Sequence, residues 1–415
     1  MSSMTRASKA AGPVVQAERI GSLDVLRGFA LLGILVMNVQ LFAMIDATLF
    51  NPTSYGDLTG ANFLVWFLSH LLFDQKFMTI FSMLFGAGIV LMTQRAEAAG
   101  RRTAGRHYRR MLWLGIMGLL HAHLLWFGDI LYLYAICGLW VFLFRKLRPG
   151  WLFGLGLATI AVSSLVFLFF GWSMQFWPEE QILQMARDWQ PDAARIAEEV
   201  ATYRSGWLGQ MEHRVPTALE FQIFIIFVWG IWRAGGLMLV GMGLFKLGFF
   251  SAERSRRTYW TTAVVGLAIG LPPIIYGVVR HFEAKWAVEY SMFFGTQFNY
   301  WGSLAVSLAW VSLVMLWCRS AVLPGLKRSL AAVGQMALTN YLAHSLICTT
   351  IFYGHGLGLY GRVERVGQIG IVVVIWIAQL VISPIWLRHY RFGPAEWTWR
   401  SLTYLKAQPL RRDGF

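Results

Sequence analysis

Residues 23–45, LDVLRGFALLGILVMNVQLFAMI, decide the fold class of this chain. Apart from Asp24 and Arg27 near its start, the stretch carries no charged side chain. An α-helix needs roughly 20 predominantly apolar residues to cross the hydrocarbon core of a bilayer, and this stretch is long enough. The sequence therefore predicts a transmembrane helix that begins with two opposite charges.

The rest of the sequence is similarly apolar. Of its 415 residues 57% are hydrophobic and 14% charged, with a mean hydropathy of +0.52, and a soluble chain could not cover so much apolar surface. A shorter apolar stretch at 61–74 predicts a re-entrant or interfacial helix. We predict an all-α integral membrane protein of about ten transmembrane helices, near residues 23–45, 77–93, 110–127, 129–144, 151–172, 221–245, 258–280, 298–318, 329–353 and 367–387.

The charge distribution predicts the orientation. The segments assigned to the cytoplasm hold 25 of the 36 Lys and Arg but only 5 acids, as the positive-inside rule requires. We therefore expect a cytoplasmic tail at 1–22, a transmembrane domain at 23–387 and a basic cytoplasmic tail at 388–415, so that both termini are cytoplasmic. An outer loop with an amphipathic helix is expected at 173–220. The net charge of +15 then reflects topology and attraction to membrane lipids, and no nucleic-acid partner is expected.

Polar side chains at membrane depth need a partner or a water-filled cavity, and they are therefore the candidate functional residues. Asp24 and Arg27 lie three residues apart on one helix face and can pair. Asn38 lies eleven residues beyond Arg27, three turns along the same helix, and faces nearly the same direction. We predict that the three bind substrate, although a structural salt bridge also explains the first two.

A second group combines histidine with a carboxylate. His121 and His123 point to nearly opposite sides of one span, so only one of them can easily face a shared site. Gly128 is expected to break the helix just before Asp129, so that the span at 129–144 folds back beside the span at 110–127. A histidine oriented by a carboxylate can act as a general base, so we predict that His121 and Asp129 are catalytic. A structural hydrogen bond, or Asp129 as a helix cap, is the alternative.

The remaining candidates lie on later spans. Arg233 sits near the middle of its span and needs a carboxylate from another helix or an anionic substrate. Asn340 and His344 lie four residues apart on one face and are predicted to bind substrate or to join helices by hydrogen bonds. Asp74 and Lys76 are interpreted as a solvated turn. No spacing of Cys and His typical of a metal site occurs, and no metal is expected.

The chain resembles the YeiB family of bacterial membrane proteins along nearly its whole length. Each matching motif is short, but together they occur in order and on the expected spans. The motifs are LDVLRG at 23–28, FSMLFGAG at 81–88, WFGDIL at 126–131 with His121 before it, GQMALTNY at 334–341 and RFGPAEW at 391–397.

The YeiB family is similar to a wider group of transmembrane acyltransferases, which includes heparan-α-glucosaminide N-acetyltransferase and bacterial enzymes that O-acylate surface sugars. These proteins share an Asp-x-x-Arg-Gly opening of the first span, which Asp24, Arg27 and Gly28 match. The sugar-acylating branch has His at the eleventh position after the Arg, where this chain has Asn38. The resemblance thus implies the fold. If catalysis requires that His, this chain either uses another base, for which His121 with Asp129 is the obvious substitute, or carries out different chemistry.

The first expected function is an acyltransferase that moves an acyl group from a cytoplasmic acyl-coenzyme A-type donor to a lipid-linked or extracytoplasmic acceptor. His121 would be its base, Asp129 would orient the base, and Arg27 and Arg233 would stabilise anionic charge. The donor is a substrate, and no cofactor is required. Because Asp24 and Arg27 lie toward the cytoplasm and the histidine toward the outer side, a shared site requires a deep cavity.

The alternative function is a transporter or lipid-handling protein for an anionic metabolite or lipid headgroup, in which the same cations would line a path. A third possible function is that of a structural or signalling membrane component, in which the polar residues only form internal hydrogen bonds. For all three we expect a multi-pass protein of the bacterial cytoplasmic (inner) membrane.

Overall fold

The computed structural model describes residues 20–412, and regular secondary structure in this range is helical throughout. Two π-helical turns, at Ile225–Trp229 and Ser291–Gly295, lead into longer helices. The helices are α1 (Gly21–Ala43), α2 (Gly60–Leu72), α3 (Lys76–Ala98), α4 (Ala104–Leu124), α5 (Leu131–Val141), α6 (Pro149–Ser173), α7 (Glu179–Trp189), α8 (Ala193–Tyr203), α9 (Met211–Phe224), α10 (Gly230–Lys246), α11 (Arg256–Glu283), α12 (Val288–Tyr290), α13 (Thr296–Cys318), α14 (Pro324–Gln335), α15 (Ala337–Phe352), α16 (Arg365–His389) and α17 (Pro394–Tyr404).

Seven helical stretches of the described chain are long and apolar enough to cross a membrane. They confirm the predicted all-α membrane protein, while the count of about ten, the positions of the termini and the domain bounds stay predictions. The predicted tail at 1–22 lies mostly outside the described residues. The seven are Gly21–Ala43, Gly60–Ala98, Pro149–Phe176, Met211–Lys246, Arg256–Glu283, Val288–Cys318 and Arg365–His389.

The three other predicted spans are also helical, but they differ from a simple apolar span. The helix α4 begins with a basic, polar turn, and α5 with its 3₁₀ extension reaches only from Leu131 to Phe144. The predicted span at 329–353 consists of two helices, α14 and α15, which meet at Met336. At this break the carboxylate of Glu396 accepts the backbone N–H groups of Leu338 and Thr339, so a side chain of α17 caps α15.

Close helix contacts position the polar residues of the first span. A Cβ atom at Gly28 would lie 2.0 Å from the backbone oxygen of Leu330, and a Cβ atom at Gly334 would lie 2.0 Å from that of Asp24. Only glycine allows α1 and α14 to cross at this distance. Gly118 plays the same part between α4 and the start of α5, which brings His121 of α4 toward Asp129.

The amphipathic stretch predicted in the outer loop forms two helices rather than one. Pro191 lies between α7 and α8, and the Asp192 carboxylate caps α8 by accepting the N–H of Arg195. The indole of Trp189 donates to the backbone oxygen of Trp286 at 2.7 Å. The helix α7 therefore packs against the segment that joins α11 to α12.

Candidate functional site

A cavity of about 290 Å³ lies among α1, α3, α4, α5, α15 and α17. Two of its cations lie at neighbouring helix ends: Arg95 is in the last turn of α3 and Arg106 is in the first turn of α4. These helix ends adjoin a segment that the charge distribution assigns to the cytoplasm. The arginines that line the cavity are Arg27, Arg95, Arg106, Arg110 and Arg400.

The cavity carries a strong excess of positive charge. Its lining includes five arginines and only two carboxylates, Asp24 and Glu396. Arg27 pairs with Asp24 at 3.0 Å, while Glu396 is occupied by the N-terminus of α15 and by the hydroxyl of Thr339 at 2.5 Å. Guanidinium groups bind phosphate and carboxylate oxygens through paired N–H donors. The cavity is therefore suited to an anionic ligand.

Two of the arginines are held in place by aromatic rings. The guanidinium carbon of Arg110 lies 4.4 Å from the ring centroid of Trp399, and that of Arg106 lies 5.0 Å from that of Tyr404. Both rings belong to α17, so the helix after the last predicted span completes the basic wall. Stacking keeps a guanidinium oriented while it retains N–H donors for a ligand.

The deeper part of the cavity is mainly apolar. Its lining there includes Leu31 and Ile34 of α1, Phe81 and Leu84 of α3, and Leu114 of α4. A cluster of arginines beside an apolar wall matches a ligand with an anionic, phosphorylated head and a hydrocarbon-like arm. The cavity therefore lies beside Asp24 and Arg27, but His121 and Asp129 are not part of its lining.

His121 and Asp129 form a direct hydrogen bond, as the tight turn predicted. The imidazole Nδ1 lies 2.7 Å from Oδ2 of Asp129, and the other ring nitrogen, Nε2, lies 2.8 Å from Oγ of Ser345. Oδ1 of Asp129 accepts the N–H of Tyr132 at 2.8 Å and so also caps the start of α5. The Asp129 carboxylate therefore both bonds to His121 and caps α5, so it is held on two sides.

Tyr341 connects this pair to the cavity. It lines the cavity, and its ring centroid lies 5.3 Å from that of His121. Its hydroxyl accepts the backbone N–H of Ile130, another lining residue. Asp24, Arg27 and Tyr341 thus border one cavity, and His121 lies directly behind Tyr341.

Two neighbouring polar residues take no part in this arrangement. His123, on the same helix as His121, is half-buried and is absent from the cavity lining. Asn38 is also half-buried and absent from the lining, although Arg27 on the same helix is present. Of the two histidines between which the sequence left the choice open, His121 is the one that hydrogen-bonds to Asp129 and packs on Tyr341.

Arg233 lies in a separate polar cluster, and the structure does not bring it to the cavity. Its guanidinium is fully buried and donates to the backbone oxygen of Tyr300 at 3.0 Å and to Oγ of Ser303 at 2.7 Å. Its carbon lies 4.2 Å from the ring centroid of Tyr300. The acid that interacts electrostatically with it is Asp74. These partners replace the anionic substrate that the sequence analysis considered.

The interpretation of Asp74 and Lys76 as a solvated turn is wrong for Lys76, whereas the Asp74 side chain stays 27% exposed. Lys76 is fully buried, and its Nζ atom donates to Oδ1 of Asn299 at 2.5 Å and to the backbone oxygen of His70 at 2.6 Å. Asn299 in turn donates to Asp74 at 2.7 Å. Lysine is almost never fully buried without polar partners, and here α13 supplies one of them.

Asn340 and His344 connect α15 to α16. The Asn340 amide donates to Oγ of Ser383 at 3.1 Å, and Nε2 of His344 lies 2.9 Å from Oε1 of Gln379. The Gln379 amide donates to the backbone oxygen of Asn340. Neither residue lines the cavity, so this placement matches the interhelical hydrogen bonds that the sequence offered as the alternative to substrate binding.

One set of side chains in the described part of the chain has a spacing compatible with a metal ion. Ligand atoms of Asp46, Glu199 and His213 lie within 4.8 Å of one another at a second cavity of about 550 Å³, among the predicted outer segments. Glu199 already accepts the N–H of Asp46 and the hydroxyl of Tyr360, both at 2.8 Å. Burial and the nearby Asp46 carboxylate raise the pKa of Glu199 to about 7.

Comparison with known proteins places the chain in a family. A protein of Escherichia coli (strain K12) named "Uncharacterized protein YeiB" is 32% identical over 394 residues, which cover 94% of this chain and 98% of that protein. "Uncharacterized protein YxaH" of Bacillus subtilis (strain 168) is 32% identical over 421 residues, covering 96% and 98%. The chain belongs to the YeiB family. The predicted family resemblance is thereby confirmed, and its extension to acyltransferases stays a prediction.

A family described as "Protein of unknown function (DUF418)" matches residues 244–406 of this YeiB-family chain. A third relative, an "Uncharacterized 39.9 kDa protein in amylase 3'region" of Bacillus acidopullulyticus, is 27% identical over 398 residues. The DUF418 match includes Tyr341, Ser345 and Glu396. Because it begins at residue 244, it does not include His121 and Asp129. The candidate site therefore combines this region with the first half of the chain.

Sequence reasoning missed several residues of the candidate site. Arg106, Arg110 and Arg400 were counted only as evidence of topology, because the positive-inside rule explains basic residues at span ends. Ser345 gave no signal, since serine is common in transmembrane helices. Its spacing of four residues from Tyr341 places both on one face of a helix, but only the fold shows which face meets His121.

Proposed function

We propose that this chain is a membrane-embedded acyltransferase that moves an acyl group from a cytoplasmic acyl-coenzyme A-type donor to a lipid-linked or extracytoplasmic acceptor. One observation carries the proposal: a cavity lined by five arginines ends at Tyr341, whose ring packs on the hydrogen-bonded His121. The donor is the substrate that has both the phosphates for the arginines and an acyl thioester at the end of a long arm.

The arginines bind the donor's phosphates in this proposal. Arg106 and Arg110 present guanidinium groups fixed by stacking on α17, and Arg27 lies farther in, beside Asp24. A guanidinium bound to phosphate forms charge-assisted hydrogen bonds, which are about twice as strong as neutral ones. The apolar wall then accommodates the arm and directs the thioester toward Tyr341.

His121 supplies the proton transfers. In the tautomer in which Nδ1 donates to the Asp129 carboxylate, Nε2 is the ring nitrogen that can accept a proton. Positioned general bases contribute about 10²–10⁴-fold to such reactions. Asn38, which replaces the histidine of the sugar-acylating branch, lies outside the cavity, in keeping with a base supplied by α4.

The proposal also includes the setting of the reaction. The proposed acceptor is lipid-linked or approaches from the outer side, where membrane lipids are the natural partners of the apolar helix faces. The relatives are bacterial proteins, and we propose the bacterial cytoplasmic membrane as the location. No cofactor beyond the donor enters the scheme.

The experiment is incubation of the purified protein in detergent or nanodiscs with radiolabelled acetyl- and palmitoyl-coenzyme A. Release of free thiol and formation of labelled product are measured for the unmodified chain, His121→Ala and Arg110→Ala. His123→Ala and Arg257→Ala are matched controls, since it is His121 that bonds to Asp129 and Ser345, and Arg257 is exposed. Donor turnover that is absent, or equal in all five proteins, would contradict the proposal.

The apolar interior of the same cavity favours a second function, the handling of an anionic lipid. An acyl chain could occupy the space among Leu31, Phe81 and Leu84 while a phosphate headgroup meets the arginines. Transfer of fluorescent phosphatidylglycerol between vesicle leaflets, with acyl-coenzyme A left intact, would favour this function over the enzyme. Arg110→Ala should reduce that transfer, whereas His121→Ala should not.

A further inference from the structure

We infer that Ser345 is the nucleophile of this transfer and carries the acyl group as an ester between donor and acceptor. The inference rests on the proposed function and deepens it. Ser345, His121 and Asp129 are joined by hydrogen bonds of 2.8 and 2.7 Å in the order hydroxyl, imidazole, carboxylate. This is the arrangement by which serine enzymes activate a hydroxyl, and it is recognised by geometry rather than by position in the sequence.

The three side chains are held from different parts of the fold. Ser345 is on α15, His121 is near the end of α4, and Asp129 is in the turn before α5. The side chains of His121 and Asp129 are each 1% exposed, and Ser345 as a residue is 1% exposed. Water is thus excluded from the hydroxyl, which strengthens electrostatic interactions and protects an ester from hydrolysis.

The cavity approaches Ser345 along α15. Tyr341 and Ser345 are four residues apart, so they lie one turn apart on the same helix face. Tyr341 forms part of the cavity lining, and Ser345 is therefore one turn beyond the inner wall. A rotation of the Tyr341 ring brings the thioester end of a bound donor to the hydroxyl.

The reaction has two balanced steps. Nε2 of His121 takes the Ser345 proton as Oγ attacks the thioester carbonyl; the C–S bond breaks, and the proton passes to the sulfur, which leaves free coenzyme A and acyl-Ser345. In the second step His121 takes a proton from the acceptor hydroxyl or amine, which attacks the ester. The C–Oγ bond breaks and Oγ regains a proton from His121, so the products are acylated acceptor and free serine.

A buried donor beside the triad has no partner. The indole N–H of Trp126 is without a hydrogen-bond acceptor among the described residues, although Trp126 is 1% exposed and its ring lies 6.4 Å from that of His121, centroid to centroid. An unsatisfied buried N–H is costly and rare. The oxygen of the tetrahedral intermediate at Ser345 would be its acceptor, as in an oxyanion site.

A covalent intermediate also separates the two substrates in space. The donor's arginines are at the predicted cytoplasmic end, whereas the triad is deeper in the fold. Once coenzyme A has left, the acceptor need only reach acyl-Ser345, and the two large substrates never occupy the cavity together. Direct transfer would require both at once.

The test is an exchange reaction that needs no acceptor. The purified full-length chain is incubated with acetyl-coenzyme A and radiolabelled free coenzyme A, and label entering acetyl-coenzyme A is measured. An acyl-enzyme gives exchange, whereas direct transfer does not. In parallel, a fluorophosphonate, which reacts with activated serine hydroxyls by losing fluoride, is used to label the protein, and the labelled peptide is identified by mass spectrometry.

Four variants define the expected result. Ser345→Ala should abolish labelling of the 345 peptide and reduce exchange by about 10³-fold or more. Ser345→Cys should still form an acyl adduct, now a thioester. Neutral hydroxylamine should remove this adduct, because it cleaves thioesters but not ordinary oxygen esters. Trp126→Phe should reduce exchange by about 10²-fold. Ser312→Ala, which changes a buried serine on α13, should leave labelling and exchange unchanged.

The outcomes separate this inference from the proposed function. Donor turnover that depends on His121, without exchange and without labelling of Ser345, would overturn the nucleophile and leave the acyltransferase. Labelling of Ser345 without any turnover of acyl-coenzyme A would support the nucleophile and overturn the donor. Exchange that persists in Ser345→Ala would overturn the inference outright.

Discussion

The ring of Tyr341 packs on the imidazole of His121, with 5.3 Å between their centroids, while its other side lines the arginine-rich cavity. Tyr341 is only 4% exposed, and its hydroxyl accepts the N–H of Ile130. One aromatic side chain thus separates the basic cavity from the hydrogen-bonded histidine. In the proposed reaction it is the barrier that the acyl group must pass.

Enlarging this barrier should slow transfer without preventing donor binding. Tyr341→Trp adds volume between the cavity and His121, so we expect the rate of donor turnover to fall about tenfold or more while the Kd for coenzyme A changes little. Tyr341→Phe keeps the ring and should cost about 1 kcal/mol of stability for the lost hydrogen bond. Equal turnover in Tyr341→Trp and the unmodified chain would show that substrates bypass this position.

Removing the base or its orienting carboxylate should lower turnover by different amounts. His121→Ala removes the proton acceptor, and we expect a loss of about 10²–10⁴-fold. Asp129→Asn keeps the size but no longer fixes the Nδ1 proton, so a large loss is again expected. Because Asp129 also caps α5, its variant should melt at a lower temperature, whereas His123→Ala should match the unmodified chain. A fully active Asp129→Asn would exclude the orienting role.

Arginines of the cavity should control affinity and its dependence on salt. Arg110→Ala leaves one phosphate contact unmade, which is worth about 1.5–3 kcal/mol and raises the Kd for coenzyme A about 10–100-fold. Binding to the unmodified chain should also weaken as ionic strength rises. The comparison is isothermal titration of Arg110→Ala against Arg257→Ala, an exposed arginine on α11. Identical affinities would place the donor elsewhere.

Replacement of Arg233 should affect stability rather than ligand binding. In Arg233→Met the side chain keeps a similar length, but the carbonyl of Tyr300 and the hydroxyl of Ser303 each lose one hydrogen bond and Asp74 loses a nearby positive charge. A hydrogen bond from a charged donor is worth about 1.5–3 kcal/mol, so the thermal midpoint in detergent should fall clearly. The Kd for coenzyme A should stay unchanged in the folded fraction. Weaker binding without loss of stability would contradict this assignment.

The cluster of Asp46, Glu199 and His213 should make the stability of the folded chain depend on pH. The pKa of Glu199 is raised from 4.5 to about 7 by burial and by Asp46, so the folded chain holds this proton more tightly than the unfolded chain. The resulting stabilisation is present below pH 4.5 and is lost as pH rises through about 7. Glu199→Gln stays neutral, so its melting temperature relative to the unmodified chain should increase between about pH 5 and pH 8. A difference that does not change with pH would refute this.

The sequence alone predicted most of the fold and the His121–Asp129 contact. Seven of the predicted spans appear as long apolar helices, because length and hydropathy are local properties. The short turn between α4 and α5 restricts where Asp129 can lie, so a pair eight residues apart was also predictable. The contacts of Arg233 could not be predicted in this way, because its partners Tyr300 and Ser303 are about 70 residues away in the chain.

The sequence by itself determined that this chain is an all-helical membrane protein, since a run such as 23–45 can satisfy its backbone in hydrocarbon only as a helix. Only the tertiary structure decided which polar groups meet. Gly28 and Gly334 let α1 and α14 approach, Glu396 caps α15, and α15 then presents Ser345 to His121. These contacts join residues far apart in sequence, and their geometry follows from helix packing rather than from any local pattern.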